Sequence, residues 1–201
     1  IFHNYSNSYI IYYIYNLYII AMNKTRKKVK TPFNQQDYKS NDGMLTTIWG
    51  PPLWHVLHTM SFNYPVQPSK EEKSHYRNFI LNLKHTLPCG KCRENFKKNL
   101  KDLPLYMKHM ESRETFSKYV YELHELVNKM LGKKSGLSFE EVTDRYEHFR
   151  ARCVNEKIQT KIENGCVRPL YGKKSKCILK IVPNEVKCET LEINKECMKH
   201  A

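Results

Sequence analysis

The sequence predicts an all-α domain over residues 48–153. Four segments place apolar residues at helical spacing, two of them open on capping boxes, and β-leaning stretches begin only after Cys153. In the first, PPLWHVLHTMSF, Leu53, Leu57 and Met60 fall at i, i+4 and i+7, with Pro51 and Pro52 expected in the first turn, where helices tolerate proline. The second, SKEEKSHYRNFILNLKHTL, pairs Ser69 with Glu72 as a capping box and buries Tyr76, Ile80, Leu83 and Leu87. A short helix must start near Pro88 and run through CGKCRENFKKNL. The next long segment, SRETFSKYVYELHELVNKMLGK, carries Phe116, Val120, Leu123, Val127 and Leu131 on one stripe and stops at Gly132 as a C-cap. In SFEEVTDRYEHFRARC, Ser138 and Glu141 repeat the capping box, and Val142, Tyr146 and Phe149 form the face. Residues 154–201 form a tail or small appended element, β-leaning at CILKIVP and TLEIN, with few contacts to the domain.

Residues 1–47 are expected to be a flexible leader. From Met22 to Thr47 the chain is polar, basic and without periodicity. Residues 1–21 are built almost wholly of Ile, Tyr, Asn, Ser and Phe. They offer only about a dozen apolar positions where a membrane span needs about 20, so they are expected to be upstream sequence read through an over-extended frame rather than an anchor.

A chain of 201 residues with 40% hydrophobic content can bury one ordinary core. The net charge of +14 is spread along the chain, with no aromatic nucleic-acid signature, and reads as a basic solvated surface rather than a specific nucleic-acid interface. Seven cysteines are an odd number, so one stays unpaired in any fully paired monomer.

Cys89 and Cys92 stand in CxxC spacing at a helix start. There the exposed N–H groups, the helix dipole and the neighbouring Lys91 and Arg93 favour thiolate over thiol. Two thiols on one turn can also close a small disulfide, so redox chemistry leads. A zinc site would need further ligands, and no second CxxC or HxxxH is present. Trp54 with His58, and His124 with Asn128, each lie at i and i+4. Singly, such pairs are commonly helix flanks with a satisfied histidine; two of them around a CxxC suggest a stacking and hydrogen-bonding cleft for a flat, polar-edged cofactor.

The stretches WGPPLWHVLHTMSFNYP, LPCGKC and HELVNKMLGK, in this order and spacing, resemble the Erv/ALR family of FAD-linked sulfhydryl oxidases, and most of all its members from large cytoplasmic DNA viruses. The resemblance spans residues 48–153 and implies a four-helix bundle with a short fifth helix holding FAD in its mouth. It implies that Gly50, Trp54 and His58 line the flavin with Tyr64 close by, and that His124, Val127 and Asn128 hold the adenine and ribose end. Lys133 would lie near the phosphates, and Tyr146 would stack on the adenine. Cys92 would be the flavin-proximal thiol, and Cys89 the thiol that meets the substrate. Electrons would pass from protein dithiols, or a thioredoxin-like carrier, through Cys89 and Cys92 to FAD and then to O2, giving H2O2, in a homodimer with no bound metal and no membrane span. A viral origin would place the protein in host cytoplasm or the virion.

The sequence departs from the family pattern at three places. Glu125 replaces an Asn, Pro51 an Arg, and Tyr146 the usual Trp. Glu125 is therefore expected to point to solvent or to lose that contact. The resemblance also suggests a Cys153–Cys166 disulfide pinning the last helix, and a shuttle role for Cys177, Cys188 or Cys197. The competing reading is a zinc-stabilised helical module that binds nucleic acid.

Overall fold

The computed structural model describes residues 34–154 and 165–199. The expectations for residues 1–21 and for the basic run that follows lie outside the described residues. Among the described residues no helix is long and apolar enough to cross a membrane. A five-residue helix, α1 (Gln35–Lys39), is closed by a capping box between Asn34 and Asp37, so the expected leader holds a local element of its own.

The main unit runs from Gly43. Its helices are α2 (Thr46–Phe62), α3 (Lys70–Thr86), α4 (Gly90–Asp102), α5 (Arg113–Met130) and α6 (Phe139–Glu147). Helix α2 packs on α5 and α6, α3 on α4, and α4 on α5. The core these pairings enclose contains Leu57, Ile80, Leu83, Phe96, Phe116, Val120 and Leu123. Burying each large side chain contributes about 1.5–3 kcal/mol, and this is what holds together helices whose exposed faces are heavily charged.

The helical fold is the one the sequence predicts, with three differences. First, α2 begins at Thr46, so Pro51 and Pro52 lie inside it rather than in its first turn. Their missing N–H groups forgo two ladder bonds. The first turn is fastened from outside, by the Trp49 indole donating to the Met44 carbonyl at 3.0 Å. Second, the short helix is α6, with 9 residues, while the helix carrying the CxxC has 13. Third, the chain after α6 becomes a strand. β1 (Ala151–Val154) pairs antiparallel with β2 (Gly165–Pro169), with Cys153 opposite Cys166, and those two cysteines are bonded. The disulfide thus staples a hairpin that follows the last helix.

CILKIVP and TLEIN form no strand and stay largely exposed. The tail's end is better held than expected. The Lys199 N–H donates to His148 Nδ1 at 3.1 Å, and Lys173 pairs with Glu196 at 3.0 Å. Gly172 adopts φ +63°, and a Cβ there would lie 2.5 Å from the Cys197 carbonyl carbon, so only glycine permits this approach.

Candidate active site

The stretch LPCGKC forms the entry to α4. Cys89 is the N-cap, in extended backbone, and its Sγ accepts the Cys92 N–H at 3.2 Å. Cys89 and Cys92 are joined as a disulfide with their Cα atoms 5.1 Å apart, and Cys92 packs against the core. The helix terminus therefore supplies the electropositive setting the sequence predicts. Of the two flanking cations, Lys91 pairs with Glu94 at 3.7 Å, and Arg93 donates to the Leu87 carbonyl at 2.6 Å.

A second segment closes over this turn, and sequence reasoning assigned it to the leader. The Met44 N–H donates to the Pro88 carbonyl at 2.7 Å. Gly43 passes so close that a Cβ would lie 2.8 Å from both Cys89 Cα and the Pro88 oxygen. Thr46 Oγ1 reaches Cys92 Sγ at 3.5 Å. The one local signal was a glycine in an otherwise polar stretch.

Helix α2 runs on from this contact to an aromatic and imidazole cluster. Trp54 lies eight residues beyond Thr46, about 12 Å along the axis at about 1.5 Å per residue. Its ring stacks on His124 of α5, with centroids 4.0 Å apart and planes within 7°. His58 Nε2 and His124 Nδ1 share a hydrogen bond of 3.0 Å. Tyr146 of α6 stacks against His58 and Phe62 at 5.1 and 5.4 Å, and its hydroxyl lies 3.4 Å from His55 Nδ1. The two i, i+4 pairs of the sequence thus meet through His124, and Tyr146 joins them from a third helix.

Burial dominates the electrostatics. It pushes His58 down to about 3, helped by His124 and His55, and His124 down to about 4. Both imidazoles are neutral at pH 7, so in their shared bond one ring nitrogen donates and the other accepts. Burial likewise raises the Tyr146 phenol to about 12, which keeps it protonated.

The remaining candidates divide. Gly50 follows Thr46 by one turn, and a Cβ there would touch the Thr46 methyl at 3.7 Å. On α5, Asn128 Nδ2 donates to Glu125 Oε1 at 3.0 Å, so Glu125 holds the Asn128 amide instead of pointing away from the motif. Gly132, at φ +67°, ends α5 in a Schellman turn whose Lys133 N–H returns to the Asn128 carbonyl at 2.8 Å. Asn128 and Lys133 are thereby fixed beside one another, with Val127 half-buried next to them. Tyr64 is different. It is fully buried, its hydroxyl donates to the Met110 carbonyl at 2.8 Å, and its ring packs on Tyr76 and Phe116. In this conformation it offers no surface to a ligand and belongs to the core.

One polar atom in the cluster is unsatisfied. His58 Nδ1 is buried without a hydrogen-bond partner, a state that costs about 1–3 kcal/mol. An unpaired ring nitrogen among stacked, neutral aromatic faces fits a flat cofactor with a polar edge.

Comparison with known proteins agrees with this chemistry. The chain is 35% identical over 99 residues to a "Probable FAD-linked sulfhydryl oxidase" of Acanthamoeba polyphaga mimivirus, covering 49% of this chain and 68% of that protein. It is 33% identical over 99 residues to the FAD-linked sulfhydryl oxidase of African swine fever virus, covering 49% of this chain and 80% of that protein. Against the mitochondrial FAD-linked sulfhydryl oxidase of Saccharomyces cerevisiae the figure is 32% over 80 residues, covering 40% of this chain and only 41% of the yeast protein. The solved yeast Erv1 core covers 61% of this chain and is itself 96% covered, at a TM-score of 0.47 and 24% identity. The model of the Erv1 / Alr family matches residues 51–164, more than half of the chain, and the chain belongs to that family.

Proposed function

We propose that this chain is an FAD-dependent thiol oxidase that forms disulfides in protein substrates, with Cys89 and Cys92 as its redox pair. The observation that carries the reading is the Cys89–Cys92 disulfide at the N-terminus of α4, on a fold whose α2 touches Cys92 at one end and carries the Trp54–His58 pair further along. Membership of the Erv1/Alr family supports the same chemistry. The zinc-module reading loses its ligands, because the two cysteines it needs are bonded to each other.

A substrate thiolate attacks Cys89 Sγ, forms a mixed disulfide and leaves the electron pair of the broken bond on Cys92. The substrate's second thiolate then attacks its own sulphur in the mixed disulfide, which releases oxidised substrate and leaves both cysteines reduced. FAD, when bound, accepts two electrons from a dithiol and returns them to O2 as H2O2. Trp54 and Tyr146 supply faces for stacking, and neutral His58 offers its unpaired nitrogen to a polar edge. Gly50, His124, Val127, Asn128 and Lys133 complete the proposed contact set.

Protein dithiols, or a thioredoxin-like carrier, are the proposed electron donors. A homodimer belongs to the same proposal, and exposed apolar side chains such as Val56 on α2 and Phe79 on α3 are available to pair. Oxygen consumption with dithiothreitol tests the function. It should fall to background in Cys89→Ser and in Cys92→Ser, and persist in Cys188→Ser, whose thiol is exposed in the tail. Unchanged uptake in both motif variants would overturn the assignment.

A further inference from the structure

Thr46 is the first residue of α2, and Leu45 before it makes no side-chain cap. The Thr46 Oγ1 lies 3.5 Å from Cys92 Sγ. A disulfide sulphur carries no hydrogen, so the hydroxyl is the donor. The partner sulphur, Cys89 Sγ, accepts the Cys92 N–H at 3.2 Å. The two sulphurs of one disulfide therefore have different donors: a helix-terminal amide for Cys89 and a side-chain hydroxyl for Cys92.

That difference bears on which sulphur leaves during exchange. The lower the pKa of the leaving thiol, the faster the exchange. Helix chemistry alone stabilises the Cys89 thiolate and so favours attack at Cys92, against the direction the proposed relay requires. A hydroxyl donor on Cys92 Sγ acts in the opposite direction. Its position is set by the strap before it, where Met44 is bonded to the Pro88 carbonyl at 2.7 Å and Gly43 lies in contact with Cys89.

We propose that Thr46 stabilises Cys92 as the leaving thiolate and thereby directs incoming substrate to Cys89. The incoming thiolate contributes the electron pair of the new bond to Cys89 Sγ. The Cys89–Cys92 bond breaks, its pair remains on Cys92 Sγ under the Thr46 hydroxyl, and no further oxidant or proton is needed. The inference rests on the reading of Cys92 as the inner cysteine of the relay.

The test is the pH dependence of iodoacetamide alkylation at Cys92, read by mass spectrometry on the full chain in a Cys89→Ser background, with no dependence on flavin or turnover. Thr46→Val should raise the midpoint by about one pH unit, the scale of a lost charge-assisted hydrogen bond, and Thr46→Ser should restore it. Thr46 is exposed, so Thr46→Ala carries the same measurement should the valine variant fail to fold. An unchanged midpoint in Val and Ala overturns the inference. The parent reading fails separately, through oxygen uptake that survives Cys92→Ser, and that outcome does not touch the alkylation midpoint.

Discussion

His58 and His124 share one hydrogen bond, and burial holds their pKa values at about 3 and about 4. In the unfolded chain both imidazoles take up protons near pH 6.5, while in the folded chain they resist protonation until far lower pH. The unfolded state therefore binds more protons across this window. Stability is fully present above about pH 6.5 and is lost as the pH falls toward the folded values, by up to about 1.4 kcal/mol per pH unit for each imidazole. The midpoint of urea denaturation should fall between pH 7.5 and 5, and replacing His124 with Gln should flatten that slope. A midpoint independent of pH would mean that the cluster is not buried as described. The sequence showed each i, i+4 pair, because that relation is fixed by helix geometry. It could not show that His58 and His124 meet, since the two stand 66 residues apart and only the α2–α5 packing joins them.

Among the elements, the Gly43–Thr46 strap has the sharpest consequence. A methyl group at Gly43 would lie 2.8 Å from Cys89 Cα and the Pro88 oxygen, and both neighbours are backbone that cannot swing aside. Gly43→Ala should destabilise the protein by about 1–3 kcal/mol, as overpacking does, and slow dithiol oxidation by displacing Thr46 from Cys92. Chemical denaturation and oxygen uptake measure the two effects, and a variant with wild-type values in both would show that the strap does not hold the site. Helix cores were legible because their apolar stripes are long and their caps explicit. Ser69–Glu72 and Ser138–Glu141 both close as capping boxes. The start of α2 was not legible, because Pro51 and Pro52 normally mark a first turn, and only the fastening of Met44 and Trp49 lets the helix run back through them. The end of α6 was misread for a related reason. Residues 148–153 keep a helix-compatible pattern, but the helix is capped at His148 and pairing across Cys153 and Cys166 draws the chain from Ala151 into a strand.

At the scale of the whole molecule, the bundle carries the proposed chemistry and a disulfide-stapled strand pair follows its last helix. The Cys153–Cys166 bond spans 13 residues, and a cross-link over a loop of that length stabilises by about 3 kcal/mol through the unfolded chain. Replacing both cysteines with serine should lower stability by about that amount while small-dithiol oxidation persists. Loss of oxidation at full folding would instead place the hairpin disulfide in the electron path. The resemblance supplied this pairing, but the strand context escaped it, because pairing partners separated by a connection leave no local periodicity to read. Tyr64 shows what a motif leaves out: the stretch around it is conspicuous, but only the fold reveals that its hydroxyl and ring engage Met110, Tyr76 and Phe116.

In the proposed relay, Cys92 would pass the electrons of a dithiol to FAD held by residues of α2, α5 and α6. The direct measurement is the visible spectrum of the purified, FAD-loaded protein during anaerobic titration with dithiothreitol. The proposed relay predicts that the flavin band near its absorption maximum bleaches in the wild type within about two equivalents of dithiol, one for the Cys89–Cys92 disulfide and one for the flavin, and stays unbleached in Cys92→Ser. A protein that takes up no FAD, or a Cys92→Ser flavin that bleaches as readily as the wild type, would contradict it.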